Sequence, residues 1–367
     1  MQKLINYTLF IFLCASFYAS QLNAQGCVAI RSTGGASCMR PGTSNDSSGW
    51  LINLNNRYFK SYKHYRGSHE EVERVENGTE VINHNYSLDI FVQKMLNKRW
   101  AIGVNIPIIN NARSSMYEHG GNNGGANARH STHSFGLGDV RVAVYAWLTD
   151  PAKMGKFSIQ AGLGVKLPTG DYRYQDYFVK NDSTKVLGPV DQSIQLGDGG
   201  TGITAELNMF YQIARKVGVY GNLYYLSNPR EQNGVSTSRG SAPSASNIKI
   251  GSDVMSVPDQ YMVRGGVNFN VNNFTASAGV RYECIPVYDI IGGSNGFRRP
   301  GYVLALEPGL TYQVKKFAAY VLVPFALERN RTQSVPDRLR TQQTGTYSHG
   351  DAAFADYSIN AGVTFRF

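Results

Sequence analysis

Apolar and polar residues alternate strictly through residues 135–171, which read FGLGDVRVAVYAWLTDPAKMGKFSIQAGLGVKLPTGD. The alternation continues on both sides of a short polar break at residues 150–153. After the break, Phe157, Ile159, Ala161, Leu163, Val165 and Leu167 share one face, opposite Ser158, Gln160, Gly162, Gly164 and Lys166. Because successive side chains of a strand point to opposite sides of the pleat, this stretch predicts two long antiparallel strands.

Similar segments fill the rest of the chain and bring the predicted number of strands to twelve. Their predicted limits are residues 50–59, 81–95, 100–109, 135–148, 157–167, 203–213, 217–226, 261–270, 274–285, 302–314, 317–327 and 354–367. Five connections are short, near residues 97, 152, 215, 272 and 315, and the six between them are long. This alternation is typical of outer-membrane barrels, which have short turns on the periplasmic side and long loops outside.

The predicted fold class is therefore all-β, a transmembrane antiparallel β-barrel of about 12 strands that forms one domain over residues 49–367. A membrane-spanning β-structure must close on itself to satisfy its backbone, which explains why the pattern fills the chain. The longest apolar run, residues 317–327, has the length of a membrane strand and is too short for a membrane helix. A soluble β-sandwich is the alternative.

Residues 1–24 have the features of a cleaved signal peptide, with Lys3 at the start, an apolar stretch at 9–17 and Ala24 at the cleavage site. Removal of this segment lowers the net charge from +10 to +9, because Lys3 is the only charged residue lost. The predicted location of the mature protein is the outer membrane.

Residues 25–48 form a predicted periplasmic N-terminal segment without periodicity. Cys27 and Cys38 are expected to form a disulfide, since the chain is exported and the two residues enclose a short Gly/Ser-rich loop. A lipidated Cys27 is the less favoured alternative. We hypothesise that this segment folds into the barrel as a plug; a free periplasmic tail is the alternative. Cys284 is expected to be an unpaired residue of a strand.

The polar faces of the strands are expected to line the barrel interior, because a charge facing lipid costs about 2–4 kcal/mol at the midplane. The lumen-lining candidates are Arg57, Asp89, Asp139, Arg141, Lys166, Glu206, Arg264, Arg281, Glu283, Glu307 and Arg366. Asp139 and Lys166 are expected to form an ion pair across neighbouring strands. A structural network of mixed charges is favoured over a selectivity filter, and both remain open.

The sequence predicts no catalytic residues, no cofactor and no metal site. Most of the seven histidines fall in predicted loops, and His84 and Ser87, three residues apart on a strand, point to opposite faces. His130 and His133 have the spacing of a surface metal site but no evident third ligand. Residues 197–202 lack the Lys-Ser/Thr pair of a phosphate-binding loop. The positive charge is spread over loops, turns and lumen, which argues against nucleic acid and favours contact with lipopolysaccharide.

Three segments resemble the family of outer-membrane porins associated with the meta-pathway of phenol degradation: FGLGDV, GVKLPTGDY and IQLGDGGTG. The resemblance implies uptake of a small hydrophobic or aromatic molecule. The terminal Phe367, after a strand of alternating aromatic residues, is similar to the signal read by the barrel-assembly machinery of Gram-negative bacteria.

The predicted function is passive passage of small molecules through an outer-membrane channel. The predicted partners are outer-membrane lipid and lipopolysaccharide, the barrel-assembly machinery and a small-molecule solute. The alternatives are a surface barrel without transport, acting as an adhesin or structural protein, and an outer-membrane hydrolase.

Overall fold

The computed structural model describes residues 49–117, 128–150 and 156–367. The predicted signal peptide, the segment 25–48 and the Cys27–Cys38 pair lie outside the described residues and stay predictions. The described part of the chain is dominated by one antiparallel sheet that closes on itself.

The sheet is a barrel of twelve strands, two of them interrupted, numbered here β1–β12 in chain order. Their bounds are β1 Trp50–Arg66, β2 Ile82–Met95, β3 Trp100–Met116, β4 Arg129–Leu137 with Arg141–Trp147, β5 Phe157–Lys166, β6 Gly202–Ala214, β7 Val217–Ser227, β8 Gln260–Val271, β9 Phe274–Ile285, β10 Gly301–Val314, β11 Phe317–Leu322 with Phe325–Arg331, and β12 Ala352–Arg366. The predicted all-β barrel and its number of strands are confirmed.

The barrel closes where β12 pairs with β1, with Ile52 opposite Phe365 and Arg57 opposite Asn360. The other barrel strands pair antiparallel with their neighbours in sequence. Closure gives each strand a hydrogen-bonding neighbour on both sides, as hydrocarbon surroundings require.

Two strands are interrupted in ways that keep them attached to the sheet. Both halves of β4 pair with β3, and across the break the Gly138 N–H donates to Pro107 O at 2.8 Å. In β11 the break falls at Pro324, which has no N–H to give, while the Val323 N–H donates to Pro308 O at 3.0 Å. The β4 break places Asp139 between two strand segments at the outer end of the barrel.

The alternation seen in the sequence separates an apolar outer face from a polar inner face. On β5, Leu163 is 64% exposed and Val165 is 42% exposed, whereas Gly162, Gly164 and Lys166 are buried. The inner glycines leave room for aromatic rings. A Cβ at Gly162 would lie 2.7 Å from a ring carbon of Tyr145, so this ring packs flat against the wall.

Two belts of aromatic side chains flank the apolar outer face. Near the short turns, rings contact between neighbouring strands in the pairs Phe157–Tyr211, Phe274–Tyr312 and Phe317–Phe365. Toward the long loops, Tyr225, Tyr261, Tyr282 and Tyr302 form a ladder with ring centroids 5.2–6.1 Å apart. Phe274 and Tyr282 are separated by about 26 Å along the strand, at about 3.3 Å per residue. With the tilt of about 35–45° usual for such strands, this is about 20 Å across the membrane, of the order of the apolar band of a membrane barrel. The protein is an outer-membrane barrel.

The short connections between β8 and β9 and between β10 and β11 are tight turns. Asn272 between β8 and β9 has φ +51°, and Lys315 between β10 and β11 has φ +48°. Positive φ at such positions fits the two-residue turns whose twist matches that of paired strands, and Asn adopts it readily.

Four strands extend well beyond their predicted limits. β1 continues to Arg66, β3 to Met116 and β11 to Arg331, and β4 begins at Arg129, although these residues were expected in loops. The extensions lie beyond the apolar band. Their outer face is therefore polar, and the sequence there does not alternate between apolar and polar residues. Backbone pairing persists there, as between Asn111 and Ser134.

The long loops carry short elements of their own. Within the described ranges the helices are α1 Val72–Glu76, α2 Ala245–Lys249 and α3 Val335–Thr344, and a hairpin of Gln175–Asn181 with Thr184–Pro189 follows β5. A capping box of Ser334 and Asp337 begins α3, and Gly345 at φ +68° ends it. Among the residues described, no helix has the length and apolarity needed to cross a membrane.

The outer face can be tested with Leu163→Arg. This change puts a charge in the middle of the apolar band and should lower the free energy of unfolding by about 2–4 kcal/mol. The measurement is urea unfolding in lipid vesicles. Tyr177→Arg is the matched control, because Tyr177 is 58% exposed on the loop hairpin and should tolerate the charge within about 0.5 kcal/mol. Equal stability of the two variants would contradict the assignment of the lipid face.

Candidate functional site: the filled outer end of the barrel

The charged side chains predicted to face the interior are buried or half-buried on the inner side of the wall. All but Arg366 form ion pairs: Arg57–Asp89 at 3.9 Å, Lys166–Asp139 at 3.5 Å, Arg264–Glu307 at 3.3 Å, Arg281–Glu307 at 3.2 Å, Arg281–Glu283 at 2.7 Å, and Arg141–Glu206. For Arg366, which is half-buried, no ion pair is found within the described ranges.

Glu307 on β10 is the most enclosed member of this set. Its carboxylate is fully buried and accepts hydrogen bonds from Arg264 on β8 at 3.3 Å and from Arg281 on β9 at 3.2 Å. Burying a charge costs several kcal/mol unless a partner compensates it. The dense pairing favours a structural network over a filter made of free charges.

Asp139, in the break of β4, joins all three segments that carry the family resemblance. Its carboxylate accepts the backbone N–H of Gly170 at 3.0 Å and that of Asp198 at 3.1 Å. Lys166 lies 3.5 Å from the same carboxylate and also donates to Asp198. The three segments are therefore one cluster in space.

Small residues allow this cluster to close. A Cβ at Gly197 would lie 2.3 Å from Oδ1 of Asp139, and one at Gly170 would lie 2.6 Å from the carbonyl oxygen of Leu196. Thr169 Oγ1 accepts the Val140 N–H and donates to Gly138 O, both at 2.8 Å. The glycines and Thr169 thus allow the backbones of the three segments to contact one another at the outer rim.

The loop between β5 and β6 folds into the barrel after its hairpin. A 3₁₀ turn at Gln192–Ile194 lies against the inner wall, where Asn85 donates to Ser193 O and Asn111 donates to Ile194 O, both at 3.3 Å. Ser134 also donates to Ile194 O. This inserted loop, residues 190–200, fills part of the lumen.

Asp191 fastens the inserted loop through three arginines. Arg299 binds it in a bidentate fashion with both distances at 2.9 Å, Arg239 donates at 2.8 Å, and Nε of Arg113 on β3 lies 3.8 Å away. Burial of Asp191 would raise its pKa, but the charges of Arg299, Arg113 and Arg239 outweigh burial and hold the pKa well below its usual range. Asp191 therefore stays ionised and connects two loops to the wall.

A cavity of about 140 Å³, the inner cavity, lies between the inserted loop and the wall. Its lining is mixed, with polar side chains that include Asp139, Arg141, Lys166, Gln195 and Arg299, and apolar ones that include Tyr224, Leu226, Pro258 and Ile285. An engineered cavity of about 150 Å³ accommodates benzene, so this space suits one small ring.

A group with metal-binding side chains lies higher on the wall, outside the inner cavity. His64, Glu71 and Asp351 have ligand atoms within 4.8 Å of one another. Arg74 donates to Asp351, and His64 Nε2 accepts the Val81 N–H at 2.8 Å. The guanidinium of Arg74 already neutralises Asp351, and Nε2 of His64 already accepts a hydrogen bond. The group is therefore an ion-pair cluster.

The sequence did not reveal the residues that hold the inserted loop. Asp191, Arg239 and Arg299 come from aperiodic loops, and Asp191 is 108 residues from Arg299. The predicted loop pair His130 and His133 lies instead on β4, where three-residue spacing separates the two rings onto opposite faces.

The family model described as "Putative MetA-pathway of phenol degradation" matches residues 82–184. The match includes FGLGDV and GVKLPTGDY and ends before IQLGDGGTG. The predicted family resemblance is confirmed. The matched residues run from β2 into the hairpin after β5, so they include Asp139 and Lys166.

Among solved structures, an outer membrane channel from Pseudomonas putida F1 aligns over 90% of this chain and 100% of its own, with a TM-score of 0.56 and 11% identity. At this identity the similarity shows the fold. A FadL homologue of Pseudomonas aeruginosa aligns over 94% of this chain and 98% of its own, with a TM-score of 0.41 and 10% identity. The monoaromatic hydrocarbon channel TodX aligns over 94% and 97%, with a TM-score of 0.42 and 9% identity. The last two scores are too low to establish a shared fold.

The cluster around Asp139 can be tested with Asp139→Asn. The amide keeps one acceptor oxygen but removes the charge beside Lys166 and turns an N–H₂ group toward backbone donors. Folded stability should fall by about 1–3 kcal/mol, with ion selectivity changed less. The measurements are heat-modifiable mobility on gels and single-channel selectivity.

Asp171→Asn is the control, because Asp171 closes the same PTGD segment but is exposed and accepts only from the loop backbone among described residues. Normal folding of the Asp139 variant together with altered permeation would contradict a structural role.

Proposed function

We propose that this barrel is a passive channel for small, amphipathic molecules, including aromatic ones. The observation that supports the proposal is the inner cavity, which has the size of one aromatic ring and is lined by both polar and apolar side chains. The match to a family described by phenol degradation agrees with such a solute. The solute would cross the outer end of the barrel beside the inserted loop.

In this proposal the buried charges of the wall line the lumen and act mainly by stabilising it. The same ion pairs present hydrogen-bonding groups to a passing polar substituent, while Tyr224 and Leu226 contact its ring. No catalytic step is part of the proposed function, because passage along a gradient requires none.

The remaining partners are proposed from the surface and the sequence. The apolar belt would contact outer-membrane lipid, and basic residues of the outer loops would contact lipopolysaccharide phosphates. The last strand, with Phe367 at its end, would be recognised by the barrel-assembly machinery after removal of residues 1–24.

Residues 25–48 are proposed to plug the periplasmic side, with Cys27 and Cys38 as a disulfide. A variant lacking residues 25–48 should then conduct more than the full mature protein in planar bilayers. Unchanged single-channel conductance would reject the plug.

The role of the inserted loop can be tested with Asp191→Asn in planar bilayers. Removing one partner of a buried ion pair costs about 3–5 kcal/mol, so three clustered arginines should no longer hold the loop. Single-channel conductance should rise several-fold. Asp171→Asn, in the same connection between β5 and β6 but without an arginine side chain bound to it among described residues, should conduct like the wild type. A folded Asp191 variant with unchanged conductance would contradict a path beside the inserted loop.

A further inference from the structure

A second cavity of about 330 Å³, the outer cavity, lies among the long loops beyond the inserted loop. Four arginines line it: Arg239, Arg299, Arg331 and Arg340. Arg299 also lines the inner cavity, and its bond to Asp191 lies between the two spaces. On the proposed path, a solute would therefore pass through the outer cavity before it reaches the inner cavity.

The arginines of the outer cavity carry more charge than the acids beside them neutralise. Asp191 and Asp337 pair with arginines of the cavity, but Asp351, the third lining acid, is bound by Arg74, which lies outside it. Arg340 on α3 reaches only the amide oxygen of Asn247, at 3.4 Å, and no carboxylate contacts it in the part of the chain described. One guanidinium is left for a ligand.

Arg331 is a further arginine of the outer cavity with an unused hydrogen-bond donor. This side chain is 2% exposed, donates from Nη2 to Asp337 at 3.1 Å and from Nη1 to Thr332 O, and leaves Nε without a hydrogen-bond partner among described atoms. A buried donor without an acceptor is costly. Nearby, burial lowers the pKa of His349, and the positive charge of Arg331 lowers it further.

We propose that the outer cavity binds the carboxylate group of small organic anions, aromatic carboxylates among them, before they enter the inner cavity. Arginine forks match a carboxylate in a bidentate fashion, and Asp191 on Arg299 already shows that geometry at the cavity wall. An incoming carboxylate engages Arg340 and competes with Asp191 for Arg299. Small organic anions would then be the substrate class of the channel, and a role of this site in uptake rests on the proposed channel function.

Equilibrium binding tests the site independently of conduction. The full mature protein, folded in detergent, is titrated with 4-fluorobenzoate and with its neutral counterpart 4-fluorobenzamide, and ¹⁹F linewidths are measured. The carboxylate should bind, and the amide should bind at least about tenfold more weakly, because it lacks the charge that strengthens hydrogen bonds to arginine.

Arg340→Gln should weaken 4-fluorobenzoate binding about tenfold and leave 4-fluorobenzamide unchanged. Arg338→Gln is the matched control: Arg338 lies on the same helix, contacts Tyr288 instead of the outer cavity, and should not change either ligand. Arg340→Lys, which keeps the charge but loses the fork, should give an intermediate loss. Heat-modifiable mobility verifies folding of each variant.

Equal binding of the two ligands, or undiminished 4-fluorobenzoate binding by the folded Arg340→Gln variant, would overturn the carboxylate site. Conductance distinguishes this failure from that of the channel. A protein that conducts but does not bind the carboxylate would refute the outer site alone. A protein that binds the carboxylate but does not conduct would refute the channel function and support the site.

Discussion

Closure of β12 on β1 is the constraint on which the rest of the structure depends. In hydrocarbon no water replaces a missing backbone partner, so an open edge is excluded and the sheet must form a cylinder. Once the cylinder is closed, the alternation of side chains leaves only two environments. Leu163 and Val165 are exposed on the outer face, and Lys166 on the same strand finds its partner Asp139 on the other face.

The closed wall then determines how the interior is filled. Twelve strands enclose more space than an eight-stranded barrel, whose side chains can fill it. Here the paired charges around Glu307 occupy one region, and the inserted loop, fastened by Asp191 to Arg113 and Arg299, occupies another. Within the part of the chain described, the inner cavity and, beyond Arg299, the outer cavity lie between these elements. The proposed path follows these spaces.

Sequence reasoning predicted the parts of the fold that rest on local periodicity. β5 and β12 were located because lipid demands an apolar residue at every second position. The upper parts of β1 and β3 were missed, since above the membrane neither face needs to be apolar. Alternation also predicted an inward-facing Arg141, but it could not reveal the pairing of Arg141 with Glu206, 65 residues away. The anchoring of Asp191 by Arg299 has no local pattern, because it depends on which loops the closed barrel brings together.

The central claim, that solutes pass through the inner cavity, is tested most directly by chemical modification of Gln195, which lines it. In Gln195→Cys, a bulky methanethiosulfonate reagent would attach at the cavity while conductance is recorded in a planar bilayer. The account predicts a large fall in conductance that a reducing agent reverses, with no change when the wild type is treated. A labelled channel that conducts as before would contradict it.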